Sequence, residues 1–283
     1  MDENKAAVIH PVKIFKDALS AWSGNLIPII AFYSINIFLA KILQLSSFAC
    51  GLSGASPAAG GAGWINLSLT IFFGVAVLLV LVLNSFFCLM VIHYLKARPQ
   101  GRPSFVSVFE EARNGIVPYV RALFLLLIFI FVVTLVGFLF YMAGSAFYGS
   151  GGVGARGFKM SVLLLTSTVF VVLFIAACWY GFFFSLAPLV AAFEKKRPLD
   201  SMRESRRRVK GNAMRYALAF LFYILTYVAV GLAAYFGLTR LTHDKFILDF
   251  LDPVMGTLFG PLWLAVWFIS YQRLAELKAG IKQ

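Results

Sequence analysis

The chain has 283 residues, of which 61% are hydrophobic and only 13% are charged, with a net charge of +13. A soluble domain carries about 45–50% apolar and about 25% charged residues. The composition therefore excludes a soluble nucleic-acid-binding protein, a secreted disulfide scaffold and a disordered tail. The charges lie between long uncharged runs, and this pattern predicts an all-α polytopic membrane protein.

Six transmembrane spans are predicted from the uncharged runs, because each contains the roughly 20 apolar residues that a helix needs to cross a bilayer. The spans cover residues 26 to 47, 65 to 92, 117 to 147, 160 to 190, 216 to 238 and 256 to 272. The segment before the first span is charged and amphipathic, unlike a cleavable signal peptide, so we expect it to be retained. Most Lys and Arg residues lie in the terminal segments and after spans two and four, which predicts that both termini are cytoplasmic.

A proline-led segment recurs before each pair of spans. The three copies begin at Pro11, Pro103 and Pro198, which are 92 and 95 residues apart. In the first and third copies an asparagine lies 14 residues after the proline, at Asn25 and Asn212. The recurrence predicts that a single transmembrane domain contains three repeats. These repeats cover residues 8–97, 98–194 and 195–280.

Apolar residues within the repeated segments recur at intervals of three and four. This spacing places them on one helix face and predicts an amphipathic helix at the membrane interface. The predicted stripes are Val8, Val12, Phe15, Leu19 and Trp22 in the first copy, Phe105, Phe109, Ala112 and Ile116 in the second, and Leu199, Met202 and Val209 in the third. A proline suits the first turn of such a helix, and Gly24 or Gly211 can end it. Each repeat is therefore predicted to be an interfacial helix followed by a transmembrane hairpin.

The third copy, from Ser201 to Asn212, is a basic helix that ends in Lys-Gly-Asn, and Pro103 to Pro118 occupies the equivalent earlier position. This pattern resembles the membrane domain attached to some bacterial glycerophosphoryl diester phosphodiesterases, together with its stand-alone inner-membrane relatives. The resemblance implies an all-helical bundle near lipid metabolism in a bacterial inner membrane. It implies no catalysis, because that family's activity belongs to a separate soluble barrel, whose His-Arg-Gly motif does not occur in this sequence.

The basic segment after span four is the strongest candidate site. Its eight cations are Lys195, Lys196, Arg197, Arg203, Arg206, Arg207, Arg208 and Lys210. Near an anionic leaflet each cation contributes about 1 kcal/mol of attraction. The segment is therefore a candidate for binding the head groups of phosphatidylglycerol or cardiolipin, or for docking an acidic protein. The alternative is that its charges only set the topology.

Few polar residues fall within the predicted spans. The candidates are Asn36, Lys41 and Asn84. Lys41 is expected to snorkel towards the interface. The asparagines, with Thr166 and Thr168, are expected to form hydrogen bonds between helices.

No recognisable catalytic motif occurs in the sequence. His93 has no second ligand at metal-binding spacing, so we expect an interfacial histidine, with no metal and no cofactor. Residues 149 to 154 match the Gly-x-Gly-x-x-Gly pattern, but they link two spans, which favours an outer loop over a dinucleotide site. Cys50, Cys88 and Cys178 have no paired spacing that would indicate a zinc site or a disulfide framework.

The leading prediction is a non-enzymatic inner-membrane protein that binds, organises or moves phospholipid, with basic cytoplasmic helices contacting the head groups. One alternative is an accessory or assembly subunit that docks a protein partner at the cytoplasmic face. Another is a small-solute transporter. Binding of nucleic acid is not needed to explain the charge, and a homo-oligomer is compatible with the sequence.

Overall fold

The computed structural model describes residues 9–27, 29–31, 34, 62–98, 101, 103–149, 156–241 and 251–280. Regular secondary structure within these residues is entirely helical, which confirms the predicted all-α class. The helices with described bounds are α1 (Pro11–Ser23), α2 (Ala62–Ala97), α3 (Phe105–Gly149), α4 (Arg156–Phe184), α5 (Ala187–Glu194), α6 (Pro198–Val209), α7 (Ala213–Leu241) and α8 (Leu251–Gly280).

Five helical stretches are long and apolar enough to cross a membrane. They are Val75–Ala97, Phe105–Tyr148, Lys159–Glu194, Ala213–Arg240 and Val254–Leu277, and they correspond to the predicted spans two to six. The predicted first span lies largely outside the described residues. The coarser prediction of a multi-pass membrane protein therefore agrees with the structure.

Contacts divide the chain into two compact units. The first comprises residues 1–116 and 212–283, and the second comprises residues 117–211. One boundary lies at Val117 within α3 and the other at Asn212 after α6. Both residues lie 14 positions after a repeat proline, at Pro103 and Pro198 respectively.

Helix α8 is the central helix of the first unit. In its most apolar window 61% of the residues are buried, against 6 to 28% in the other four candidate spans. Helices α1, α2 and α7 all pack against it. Trp22 of α1 donates its indole N–H to the carbonyl of Leu258, at 2.9 Å, and stacks on Phe259. The first amphipathic helix is therefore fixed to the last helix of the chain.

Helix α1 carries a wider apolar arc than the sequence predicts. Ile14 and Ala18 are fully buried, although neither belongs to the predicted stripe. Val12 and Leu19, which do belong to it, are exposed. Two other residues of the stripe, Phe15 and Trp22, contact α7 and α8. Helix α1 therefore packs through Ile14, Ala18 and one edge of the predicted stripe, and its other edge is uncovered.

The second predicted interfacial helix is not separate. Helix α3 runs without a break for 45 residues and passes through Pro118. At 1.5 Å per residue it is about 67 Å long, which is about twice the thickness of a bilayer core. The predicted interfacial segment is therefore the first part of a helix that continues into the membrane-spanning part.

The buried face of α3 also differs from the predicted stripe. Its buried apolar side chains are Val108, Ala112, Tyr119, Ala122 and Leu126, which follow helical spacing. Ala112 belongs to both sets, whereas Phe105 and Phe109 of the predicted stripe are exposed. Val108 and Ala112 are enclosed, while Phe109 meets the edge of Phe86 on α2 and stacks on Phe105.

Helix α6 is a separate helix, as predicted, and Gly211 follows its end with a left-handed φ of +92°. Gly24 has a φ of −71°, so the end of α1 does not require glycine. Met202 and Val209 of its predicted stripe are buried, whereas Leu199 is 62% exposed. Polar side chains occupy much of the rest of the buried face: Ser201, Glu204, Ser205 and Arg208.

Each proline-led segment packs on the helices that precede it, and α1 packs on the last pair. Helix α6 contacts α4 and α5, and the first part of α3 contacts α2 through Phe109 and Phe86. Helix α1 contacts α7 and α8.

Candidate functional site

A groove of about 610 Å³ lies between α3 and the start of α6 in the second unit. Its volume falls within the range of about 300–1,000 Å³ that is typical of ligand pockets. Three arginines, one acid and several apolar residues line it: Arg121, Arg197, Arg203, Asp200, Phe124, Leu125, Ile128, Pro198 and Leu199. We call it the arginine groove.

Helix α3 supplies the apolar wall of the arginine groove. Arg121, Phe124, Leu125 and Ile128 occupy positions i, i+3, i+4 and i+7, which lie on one helix face. Arg121 is the last charged residue before α3 becomes uncharged from 122 to 149. The groove is therefore cationic where the uncharged run begins and apolar along the run itself.

The start of α6 supplies the other side of the groove. Arg197 has an extended backbone and precedes the helix, while Pro198 occupies its first turn. This fixed start places Arg197 and Arg203 on the groove together with Asp200. Neither these two arginines nor Arg121 takes part in the ion pairs of the described residues. Three guanidinium groups thus face one carboxylate, and the groove is positively charged.

A buried ion-pair cluster holds α6 in place beside the groove. Arg208 and Glu204, with side chains only 5% and 6% exposed, form an ion pair of 2.9 Å. Arg208 also pairs with Glu194 at the end of α5, at 2.5 Å. Lys196 pairs with Glu194 at 2.8 Å, and Arg207 pairs with Glu204. These charges compensate one another, so the cluster joins α5 to α6.

A buried serine provides a second connection. The Ser205 hydroxyl donates to the carbonyl of Phe183, at 2.7 Å, and accepts the backbone N–H of Leu186, at 3.2 Å. Both partners lie where the chain turns between α4 and α5. The serine therefore satisfies backbone groups that the turn leaves outside the helices.

The structure separates the eight predicted cations into three groups. Arg197 and Arg203 line the arginine groove. Lys196, Arg207 and Arg208 belong to the ion-pair cluster. Lys195, Arg206 and Lys210 are exposed and line neither feature. Because Arg208 is buried and paired twice, its place in the predicted head-group set gives way to a structural role.

Sequence reasoning missed two participants. Arg121 falls inside the predicted third span, and Glu194 lies one residue before the predicted basic segment. The available signal for Arg121 was its position at the start of an uncharged run, with Phe124 and Ile128 on the same helix face. Glu194 gave no such signal, because its pairing with Arg208 depends on the turn between α5 and α6.

The polar residues of the spans form hydrogen bonds within their own helices. Thr166 donates to the carbonyl of Val162 at 3.0 Å, and Thr168 donates to that of Leu164 at 2.8 Å. Asn84 is exposed and accepts a hydrogen bond from the thiol of Cys88. The expected interhelical bonds are therefore wrong for both threonines, because nearby carbonyls satisfy the hydroxyl groups. Asn36 and Lys41 lie outside the described residues.

His93 is buried against a neighbouring helix, near the end of α2, and its predicted place at the membrane interface stays a prediction. Its Nδ1 lies 2.7 Å from Glu111 Oε2, and this pair joins α2 to the first part of α3. Among the described residues no three His, Cys, Asp or Glu side chains come together in a way that could hold a metal. Most of the glycine-rich loop at 149 to 154 lies outside the described part of the chain, as does Cys50.

In comparisons with protein-family models, curated proteins and solved structures, nothing matches this chain. The resemblance to the phosphodiesterase-associated membrane domain therefore stays a prediction.

Proposed function

We propose that this protein is a non-enzymatic integral membrane protein that binds an anionic phospholipid in the arginine groove and thereby organises or moves lipid. One observation carries the proposal: three arginines outside the ion-pair cluster converge at the end of a groove whose wall is apolar. Guanidinium groups bind phosphate oxygens through paired, charge-assisted hydrogen bonds. The apolar wall suits an acyl chain that enters from the bilayer.

The two faces of α6 differ in how their charges are paired, and this difference supports the proposal. Its inner face is neutralised by the ion-pair cluster, whereas Arg197 and Arg203 remain available to a ligand. Asp200 lines the same groove and could accept a hydrogen bond from a head-group hydroxyl, such as those of phosphatidylglycerol. The ion-pair cluster fixes α6, and Arg197 and Arg203 are outside it. This combination favours a specific lipid-binding site over the alternative that the charges only set the topology.

The proposal includes six spans in three repeats, in a bacterial inner membrane with both termini cytoplasmic. Helices α1 and α6 support the repeat, because each has a proline in its first turn. After each helix, the asparagine carbonyl accepts a backbone hydrogen bond from four residues on, at Asn25 from Ile29 and at Asn212 from Tyr216. The basic segments on one side of the spans support the orientation.

Native mass spectrometry from nanodiscs containing phosphatidylglycerol and phosphatidylcholine tests the proposal. The wild-type protein should retain phosphatidylglycerol, and the variant Arg121→Gln, Arg197→Gln, Arg203→Gln should lose it. The matched control Lys195→Gln, Arg206→Gln, Lys210→Gln removes three exposed cations outside the groove and should retain the lipid. Equal loss from both variants would indicate unspecific attraction. A retained protein partner without selective lipid would favour the accessory-subunit alternative.

A further inference from the structure

A second groove lies in the first unit, between the end of α1 and the end of α2. Its volume is about 620 Å³, close to that of the arginine groove. The residues that matter for its chemistry are Asn25, Ile27, Tyr94 and Arg98, and Pro103 also lines it. We call it the Asn25 groove.

The two grooves occupy corresponding places in the repeat. Each is bordered by helical residues that follow a proline-led segment, at Asn25 to Ile27 in one case and at Arg121 to Ile128 in the interior of α3 in the other. Each is also bordered by the proline that opens the next segment, Pro103 or Pro198. An arginine also lines each groove, at Arg98, five positions before Pro103, and at Arg197, directly before Pro198. The second groove therefore combines the same kinds of residue as the first.

A smaller cavity of about 180 Å³ lies between α1 and the end of α8, and Lys13 and Arg273 border it. Arg273 is already paired with Asp17 at 2.9 Å and with Glu276 at 3.2 Å. Arg98, in contrast, takes part in none of the ion pairs of the described residues. The larger Asn25 groove therefore has an arginine available to a ligand, whereas the arginine of the smaller cavity is already paired.

Asn25 gives the second groove a different chemistry. The residue is only 7% exposed, and its Nδ2 donates to the carbonyl of Ala21 at 2.7 Å. That bond fixes the amide orientation, so Oδ1 is the acceptor. Oδ1 is buried and has no hydrogen-bond partner within the described part of the chain. A buried acceptor of this kind is stabilised by a ligand that brings a donor.

We propose that the Asn25 groove binds a second phospholipid head group, whose phosphate contacts Arg98 and whose hydrogen-bond donor satisfies Asn25. This inference rests on the proposed function, because it assigns the same ligand class to the corresponding groove. The ligand class is a phosphodiester joined to a primary ammonium group, because a charged N–H donor forms the stronger hydrogen bond with a buried amide oxygen. Ile27 is strongly exposed and supplies an apolar edge towards the bilayer.

Phosphatidylethanolamine and phosphatidylcholine provide a direct test, because they have the same net charge but only the first has an N–H donor. Native mass spectrometry compares nanodiscs of phosphatidylglycerol with one or the other of these lipids. The wild-type protein should retain one phosphatidylethanolamine and should retain phosphatidylcholine at least fivefold less often. Asn25→Ala should abolish this discrimination, and Arg98→Gln should lose the lipid altogether.

Control variants separate this inference from the proposed function. Arg98→Lys keeps the positive charge, so this variant should retain part of the bound phosphatidylethanolamine. Arg113→Gln removes an exposed arginine that does not line the groove, so this variant should retain the lipid fully. The triple variant of the arginine groove should lose phosphatidylglycerol yet keep phosphatidylethanolamine. Retention of both zwitterionic lipids alike by the wild type would overturn the inference, as would retention of inorganic phosphate in place of a lipid.

Discussion

Asp17 and Arg273 lie 256 positions apart in the sequence, and their side chains form an ion pair of 2.9 Å. This pair joins the first amphipathic helix to the last helix of the chain. A carboxylate contact also joins each of the other proline-led segments to a helix before it. Glu111 contacts His93, and Arg208 contacts Glu194. The three junctions therefore use the same device with different residues.

The Asp17–Arg273 pair is expected to contribute little stability, because both side chains are more than one-third exposed. Exposed ion pairs contribute about 0.2–1 kcal/mol. A double-mutant cycle with Asp17→Asn and Arg273→Gln, followed by chemical unfolding in mixed micelles, should give a coupling free energy in that range. The cycle of Asp17→Asn with Arg113→Gln should give none. A coupling above about 2 kcal/mol would show that the pair is far less solvated than the structure indicates.

Arg208 is expected to be much more important for stability than its neighbour Arg206. Arg208→Gln leaves Glu194 and Glu204 without their shared buried partner. Breaking a buried ion pair in this way costs about 3–5 kcal/mol. Arg206→Gln changes the net charge equally at an exposed position and should cost less than about 0.5 kcal/mol. Thermal unfolding of the two variants in nanodiscs compares them, and equal transition temperatures would contradict the account.

The adjacent residues Glu110 and Glu111 provide a second matched comparison. Both side chains are exposed, but Glu111 accepts a hydrogen bond from the buried His93, whereas Glu110 takes part in none of the ion pairs of the described residues. Glu111→Gln weakens this hydrogen bond and should lower the free energy of unfolding by about 0.5–1.5 kcal/mol. Glu110→Gln should leave it unchanged. Chemical unfolding of the two variants compares their midpoints. A larger decrease of the midpoint for Glu110→Gln than for Glu111→Gln would contradict the contact between α3 and α2.

Gly144 is expected to be essential for the close approach of α3 and α4. A Cβ atom at this position would lie 2.8 Å from Thr166 Cβ and still closer to its hydroxyl oxygen. Gly144→Ala should therefore destabilise the protein by about 1–3 kcal/mol, since overpacking has that cost. Adding Thr166→Gly should recover much of the loss, and thermal unfolding measures both.

Gly237 serves as the control for this prediction. Nothing lies within 4 Å of a Cβ built there, and the residue is helical. Gly237→Ala should therefore raise the stability by about 0.5–1 kcal/mol, the intrinsic preference of a helix for alanine. Destabilisation at Gly237 to the same extent as at Gly144 would mean that helix packing is not the cause.

The spans could be predicted because a bilayer demands long uncharged runs, and this demand is visible without any tertiary structure. The packing faces could not be predicted in the same way. In α1, both the Ile14 side and the Val12 side are apolar, and only the position of α7 and α8 decides which is buried. In α6, the buried face carries Glu204 and Arg208 beside Met202 and Val209, so hydrophobic periodicity identifies only part of it.

The candidate site was predictable only as a region of charge. The basic segment contains Arg197 and Arg203, but its sequence does not distinguish them from Arg208, which is buried. That distinction depends on Glu194, whose proximity to Arg208 requires the turn between α5 and α6. Arg121 joins the groove from another helix, at a distance of 76 positions from Arg197. Because residues so far apart in the sequence meet only in the folded protein, the groove could not be predicted from the sequence.

Photo-crosslinking at Phe124 is the most direct test of the central claim that the arginine groove binds an anionic phospholipid. Benzoylphenylalanine replaces Phe124 within the groove or Phe236 on an exposed face of α7, and mass spectrometry identifies the crosslinked lipids. If the arginine groove binds an anionic phospholipid, adducts at Phe124 should be enriched in phosphatidylglycerol relative to the bulk membrane. Substitution of Arg121, Arg197 and Arg203 by glutamine should remove this enrichment. Adducts at Phe236 should match the bulk composition. Identical adducts at the two positions, or enrichment that survives the loss of the three arginines, would contradict the account.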